Sequence, residues 1–77
     1  MNFSTALGDT LRDIRLEQGK TLRAVHKVAY VSIGHLSDIE RGAAEPSHSF
    51  LESIANSYNI SMADLLRKVA NNLEGNK

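Results

Sequence analysis

Apolar residues in this chain recur at spacings of three and four within five short stretches, and each stretch is bounded by residues at which helices start or stop. Leu7, Leu11, Ile14 and Gln18 line one face of a helix expected from about Thr5 to Gln18, with Gly19 as its closing residue. Thr21 suits the cap of a second helix, with Leu22, Val25 and Val28 as its apolar positions and an end near Ala29; Tyr30 and Val31 then make a tight turn. Ser32 can cap a third helix, Ile33 to Arg41, in which Leu36 and Ile39 face inward and Gly42 terminates. Gly42 and Pro46 bracket a loop. Ser47 or Ser49 caps a fourth helix carrying Phe50, Leu51, Ile54, Ala55 and Tyr58, and Asn59 suits a left-handed close. Ser61 with Asp64 resembles a capping box for a fifth helix with Met62, Leu65, Leu66 and Val69, fraying beyond Ala70. Alternating β-branched runs are missing, so the expected fold is all-α and compact, with five helices.

The chain has 77 residues and no cysteine, which excludes disulfide staples and thiolate metal sites. A single domain over residues 1–77 is expected, with a core built from packed apolar side chains and no large substrate cavity. There is no basic segment followed by an apolar run at the N-terminus, and no stretch of about eighteen apolar residues. The expectation is a cytoplasmic, nucleoid-associated protein without a membrane partner. Nine Lys and Arg balance nine Asp and Glu, so net charge does not single out a nucleic-acid coat. The distribution is uneven, however. In residues 20–42, Lys20, Arg23, Lys27 and Arg41 stand against Asp38 and Glu40, which leaves two surplus positive charges there and a deficit on either side.

Two short helices joined by a turn of about three residues form a rigid corner that can present the second helix to the roughly 12 Å wide major groove of DNA. The segment TLRAVHKVAYVSIGHLSDIERG, residues 21–42, has this layout. It resembles the Cro and lambda-repressor-like helix-turn-helix family (the XRE family), whose pattern is T-x-x-x-L-A-x-x-x-G-V-S-x-x-x-I-S-x-I-E-x-G. Thr21, Val25, Ala29, Val31, Ser32, Leu36, Ser37, Ile39, Glu40, Arg41 and Gly42 fall on pattern positions or their neighbours. Within the family, Ser32-Ile33-Gly34-His35-Leu36-Ser37 looks like the actinobacterial Clp gene regulator branch. Three residues depart from the pattern: His26 replaces the usual Ala, Tyr30 the usual Gly, and Leu22 a frequent Gln. A tyrosine at a left-handed turn position is expected either to remodel the turn or to offset the strain by packing its ring.

The resemblance implies a five-helix lambda-repressor-like DNA-binding domain whose partner is double-stranded DNA, bound as a homodimer. Ile33, Gly34, His35, Ser37 and Asp38 are then the base-reading positions, on the N-terminal and outward face of the third helix. Lys20, Arg23, Lys27, Ser32, Arg41 and His48 are the candidates for phosphate. The resemblance further implies that Arg15 and Glu40 form a structural ion pair between the first and third helices. In the fifth helix and tail, residues 61–77, Met62, Leu66, Val69 and Leu73 are candidate dimer contacts.

His26, His35 and His48 lie on different expected helices with no ligand spacing between them, so no metal or other cofactor is expected. No nucleophile, base and orienting group fall into register, which speaks against an enzyme. The competing reading is a protein-interaction module of the same fold, an antitoxin or antirepressor with a protein partner. Neutral net charge, Leu22, Tyr30 and the outward Ile33 are its support.

Overall fold

The computed structural model describes residues 1–75 as five helices: α1 (Phe3–Glu17), α2 (Leu22–Ala29), α3 (Ile33–Glu40), α4 (His48–Ser57) and α5 (Met62–Leu73). Each begins at a side chain that accepts a backbone N–H three residues on. Asn2 caps α1, Thr21 α2, Ser32 α3, Ser47 α4 and Ser61 α5, with bonds of 2.9–3.1 Å. The Asn2 cap starts α1 two residues before the expected Thr5. At the fifth cap only half of the capping box forms. Asp64 donates its N–H to Ser61, but its carboxylate accepts from Arg67 at 2.8 Å instead of reaching back.

Left-handed residues close four of the helices, with Gly19 at φ 66° after α1, Gly42 at φ 72° after α3, Asn59 at φ 60° after α4 and Gly75 at φ 79° after α5. α2 closes on Tyr30 itself, at φ 56° and ψ 39°. The turn is therefore not remodelled, and the ring is not packed either, being 91 % exposed. A side chain with a Cβ enters this region at a cost of about 1 kcal/mol or more.

The helices enclose one core, with α1 packed on α3 and α5, α2 on α3 and α4, and α4 on α5. Leu7, Leu11, Leu36, Ile39, Ile54, Leu65 and Val69 are among its fully buried side chains, with Val25 reaching in from α2. Two sequence expectations need correction. Val28 is exposed, because a residue three after Val25 falls about 60° short of a full turn; Ala29, four after it, takes the buried place. Gln18 does not face the core. Its side-chain amide donates to the Tyr58 carbonyl at 2.9 Å, tying the end of α1 to the end of α4. α5 runs three residues past Ala70, held in part by Asn72, whose amide donates to Thr10 on α1. Residues 76 and 77 of the tail lie outside the described residues.

The proposed dimer face is also revised. Val69 is 1 % exposed and belongs to the core with Leu65, one turn away, so it cannot contact a second copy; Met62 is half-buried against the same core. Leu66 and Leu73, two turns apart and thus on one face, are the exposed pair.

Tyr58 is the largest fully buried side chain. Burial raises its pKa well above the ordinary tyrosine value; the Glu40 carboxylate adds to the rise and Arg15 opposes it. With the folded pKa raised, the stability contributed by the neutral phenol is complete below the unfolded value of about 10 and is lost as pH climbs towards the folded one. Urea midpoints measured from about pH 9 to 11 should fall in the wild type and fall less in Tyr58→Phe. Parallel falls in both would show that Tyr58 is not the titrating group.

Candidate nucleic-acid interface

α2 and α3 meet at a turn fixed from both ends. The Tyr30 N–H donates to the His26 carbonyl at 3.0 Å, which completes α2. His26 then places Nδ1 against the Val31 carbonyl, and since a carbonyl only accepts, the proton sits on Nδ1. Sequence reasoning registered His26 only as a departure from pattern. Its role in bracing the turn depends on a contact five residues away that no periodicity signals.

α3 is held from behind by α1. Arg15 grips Glu40 bidentately, Nε to Oε2 at 2.7 Å and Nη2 to Oε1 at 2.9 Å, while Nη1 donates to the Lys20 carbonyl at 3.0 Å. The side chains are 12 % and 6 % exposed. The hydrogen bond to Glu40 raises the Arg15 pKa, against the effect of burial. Gly8 supplies the other half of this support, and sequence reasoning passed over it. It lies buried in the middle of α1, and a Cβ built there would stand 2.5 Å from the Ile39 carbonyl oxygen and 2.6 Å from that of Glu40. A glycine inside an otherwise good helical pattern was the available signal.

Braced in this way, the N-terminal half of α3 stands between two shallow depressions. One, of about 600 Å³, includes Arg15, Thr21, Leu22, Arg23 and Ile33 in its lining; the other, of about 470 Å³, includes Tyr30, His35, Ser47, Ser49 and Phe50. Gly34 and His35 are exposed, and Ile33, Ser37 and Asp38 are half-buried. Nothing lies within 4 Å of where a Gly34 Cβ would point. The His35 ring is not free, because it packs edge-on against Phe50 with centroids 5.1 Å apart.

The candidate residues do not act separately. Arg41 donates to the Ser37 hydroxyl at 2.6 Å and pairs with Asp38, so two base-reading candidates and one phosphate candidate form a single cluster at the C-terminal end of α3. Lys20 is turned inward. Its ammonium donates to the Ser57 carbonyl at 3.1 Å and lies 5.6 Å from the centre of the Tyr58 ring. His48 lies against Glu52 one turn along α4. Arg23 and Lys27 are exposed, with no ion pair among the described residues, and Ser32 caps α3 beside Ile33. Leu22 is half-buried against the core. No group of three His, Asp or Glu that could hold a metal occurs among the described residues, and none of the helices described is long and apolar enough to cross a membrane.

An all-α domain in which a capped helix projects across a tight turn from its predecessor is the architecture of a helix-turn-helix protein. Residues 6–68 match the family model described as Helix-turn-helix domain, and the chain belongs to that family, in its Cro and lambda-repressor-like part. It is 45 % identical over 60 residues to the transcriptional regulator ClgR of Mycobacterium tuberculosis, an alignment covering 78 % of this chain and 54 % of that protein. Over 63 residues it is 41 % identical to the HTH-type transcriptional regulator DdrOP3 of Deinococcus deserti, covering 82 % and 49 % respectively. The chain thus spans about half the length of the curated relatives it matches. Among solved structures, the clp gene regulator ClgR from Corynebacterium glutamicum superposes with a TM-score of 0.91 at 36 % identity, covering 96 % of this chain and 79 % of that one. The wild-type restriction-modification controller protein C.Esp1396I superposes at 0.87 with 19 % identity, covering 95 % and 94 %, a likeness of fold alone.

Proposed function

We propose that this chain is a cytoplasmic, DNA-binding transcriptional regulator that inserts α3 into the major groove of an operator. The observation that carries this reading is the projection of Ile33, Gly34 and His35 between two depressions, on a helix fixed from behind by Arg15, Glu40 and Gly8. Ile33 offers a methyl-bearing surface to thymine, and Gly34 admits close backbone approach. Ser32, which caps that helix, Arg23, which lines the same depression as Ile33, and the exposed Lys27 are the phosphate contacts. Ser37, Asp38 and Arg41 act as one unit, in which Asp38 and Ser37 orient the guanidinium. Relatives named as transcriptional regulators support the reading.

A homodimer is part of the proposal, with Leu66 and Leu73 as the contact, because two half-sites about 34–36 Å apart double the number of contacts to DNA.

Selection of bound duplexes from a random pool tests the reading. Affinity should fall log-linearly with salt, by about 10³–10⁵-fold from 50 to 200 mM if six to ten phosphates are engaged. Arg23→Ala should flatten that slope by about one unit, whereas Ile33→Ala should change the selected sequence and leave the slope alone. No retarded duplex at low salt, together with a stable complex formed with another protein, would instead favour an antitoxin-like or antirepressor-like module.

A further inference from the structure

Tyr30 joins two features that oppose each other unless something outside the chain meets the ring. Its backbone is left-handed, a conformation glycine adopts freely, and its ring is 91 % exposed, so no internal packing offsets the strain. The position is also well anchored. Its own N–H completes α2, and the following carbonyl, that of Val31, is held by His26. The phenol is therefore presented outward from a rigid point of backbone.

What it faces has a definite chemistry. Tyr30 lines the depression of about 470 Å³ together with His35 of α3 and with Ser47 and Ser49 at the start of α4. The lining includes no carboxylate, and neither does the smaller depression of about 240 Å³ that Tyr30 also lines, with Ser53, Asn56 and Ser57, or the one beside Arg23 and Ile33; two others, both against α1, contain Asp9 and Glu40, and Asp13 and Glu17. Hydroxyls and an imidazole without a carboxylate suit an anionic oxygen. The depression is also continuous, through His35, with the face assigned to DNA.

We propose that Tyr30 is a further DNA-positioning residue, whose phenol donates a hydrogen bond to a phosphodiester oxygen of the strand crossing the mouth of this depression. The assignment rests on the DNA-binding reading above. It differs in kind from the contact given to Arg23. A neutral donor adds affinity without releasing a counterion, and a backbone contact carries no sequence information.

Two substitutions in the full chain separate this role from a structural one. Tyr30→Phe removes only the hydroxyl; Tyr30→Gly removes the ring and also relieves the turn. Melting temperature is measured beside affinity for two labelled duplexes, one of randomised sequence and one selected from the pool. The Gly variant should melt higher than wild type yet bind both duplexes about five-fold more weakly, the worth of one ordinary hydrogen bond. The Phe variant should melt like wild type and show the same loss, and the salt slope should be unchanged in both. Wild-type affinity in Tyr30→Phe, a changed slope, or a loss confined to the selected duplex would overturn the assignment while leaving the DNA reading intact. Wild-type protein that binds neither duplex at low salt would overturn both.

Discussion

Gly8→Ala should destabilise the domain by about 2 kcal/mol or more, although alanine is the better helix former. Replacing an interior helical glycine normally gains about 0.5–1 kcal/mol. Here the new methyl would meet two backbone carbonyl oxygens, those of Ile39 and Glu40, at 2.5 and 2.6 Å. Neither can rotate aside, so α1 and α3 must separate, and overpacking of this kind costs about 1–3 kcal/mol or more. A chain of this length has a total stability of roughly 4–12 kcal/mol, and the midpoint should fall by about 10 °C or more. Because the displaced helix is α3, affinity for DNA should fall with it. Gly34→Ala is the control. That position opens on empty space, and the same exchange should raise stability by about 0.5–1 kcal/mol. Thermal unfolding of the two variants decides the matter, and a stabilised Gly8→Ala would mean that the helices have room the geometry denies.

Glu40→Ala is expected to have the largest effect of all, about 3–5 kcal/mol, because it leaves the Arg15 guanidinium without its anion at a site where the pair is only 12 % and 6 % exposed. Arg15→Met should cost a similar amount through the stranded carboxylate. The double replacement Arg15→Met with Glu40→Leu should recover most of the loss, since two buried apolar side chains need no partner charge. Chemical denaturation of the three variants tests this. Single-variant losses below about 1 kcal/mol, the range of exposed pairs, would show that water reaches the pair and that α3 is fixed by packing alone.

The helices were legible because capping and periodicity are local. Thr21, Ser32 and Ser61 each accept a backbone N–H three residues on, a bond within reach of any chain that starts a helix there. The same logic placed Leu36 and Ile39 inside and gave Gly42 its left-handed close. It failed at Val28 and Leu66, which are exposed. An apolar residue near the edge of a stripe is buried or exposed according to the neighbour that arrives there, and periodicity does not specify the neighbour.

The candidate site divides along the same line. Its position, on the helix after Tyr30 and Val31, followed from the spacing of Thr21, Val25, Ser32, Leu36 and Gly42 and from the family those residues resemble. The state of its side chains did not. Arg41 closing on Ser37 and Asp38, Lys20 turning inward to Ser57, and His35 leaning on Phe50 are choices among rotamers of long or aromatic side chains, decided by what folds up beside them.

The sequence by itself determined five helices, the caps of α2, α3 and α5, one core and the helix proposed to meet DNA; the first three rest on spacings of three or four residues and the last on family resemblance. Only the tertiary structure decided how firmly that helix is held and which of the candidate contact groups remain free. The pairing of Arg15 with Glu40 was implied by the family resemblance, but Gly8 against two carbonyls of α3, His26 on Val31 and the exposure of Tyr30 depend on distance and angle, and a one-dimensional pattern carries neither.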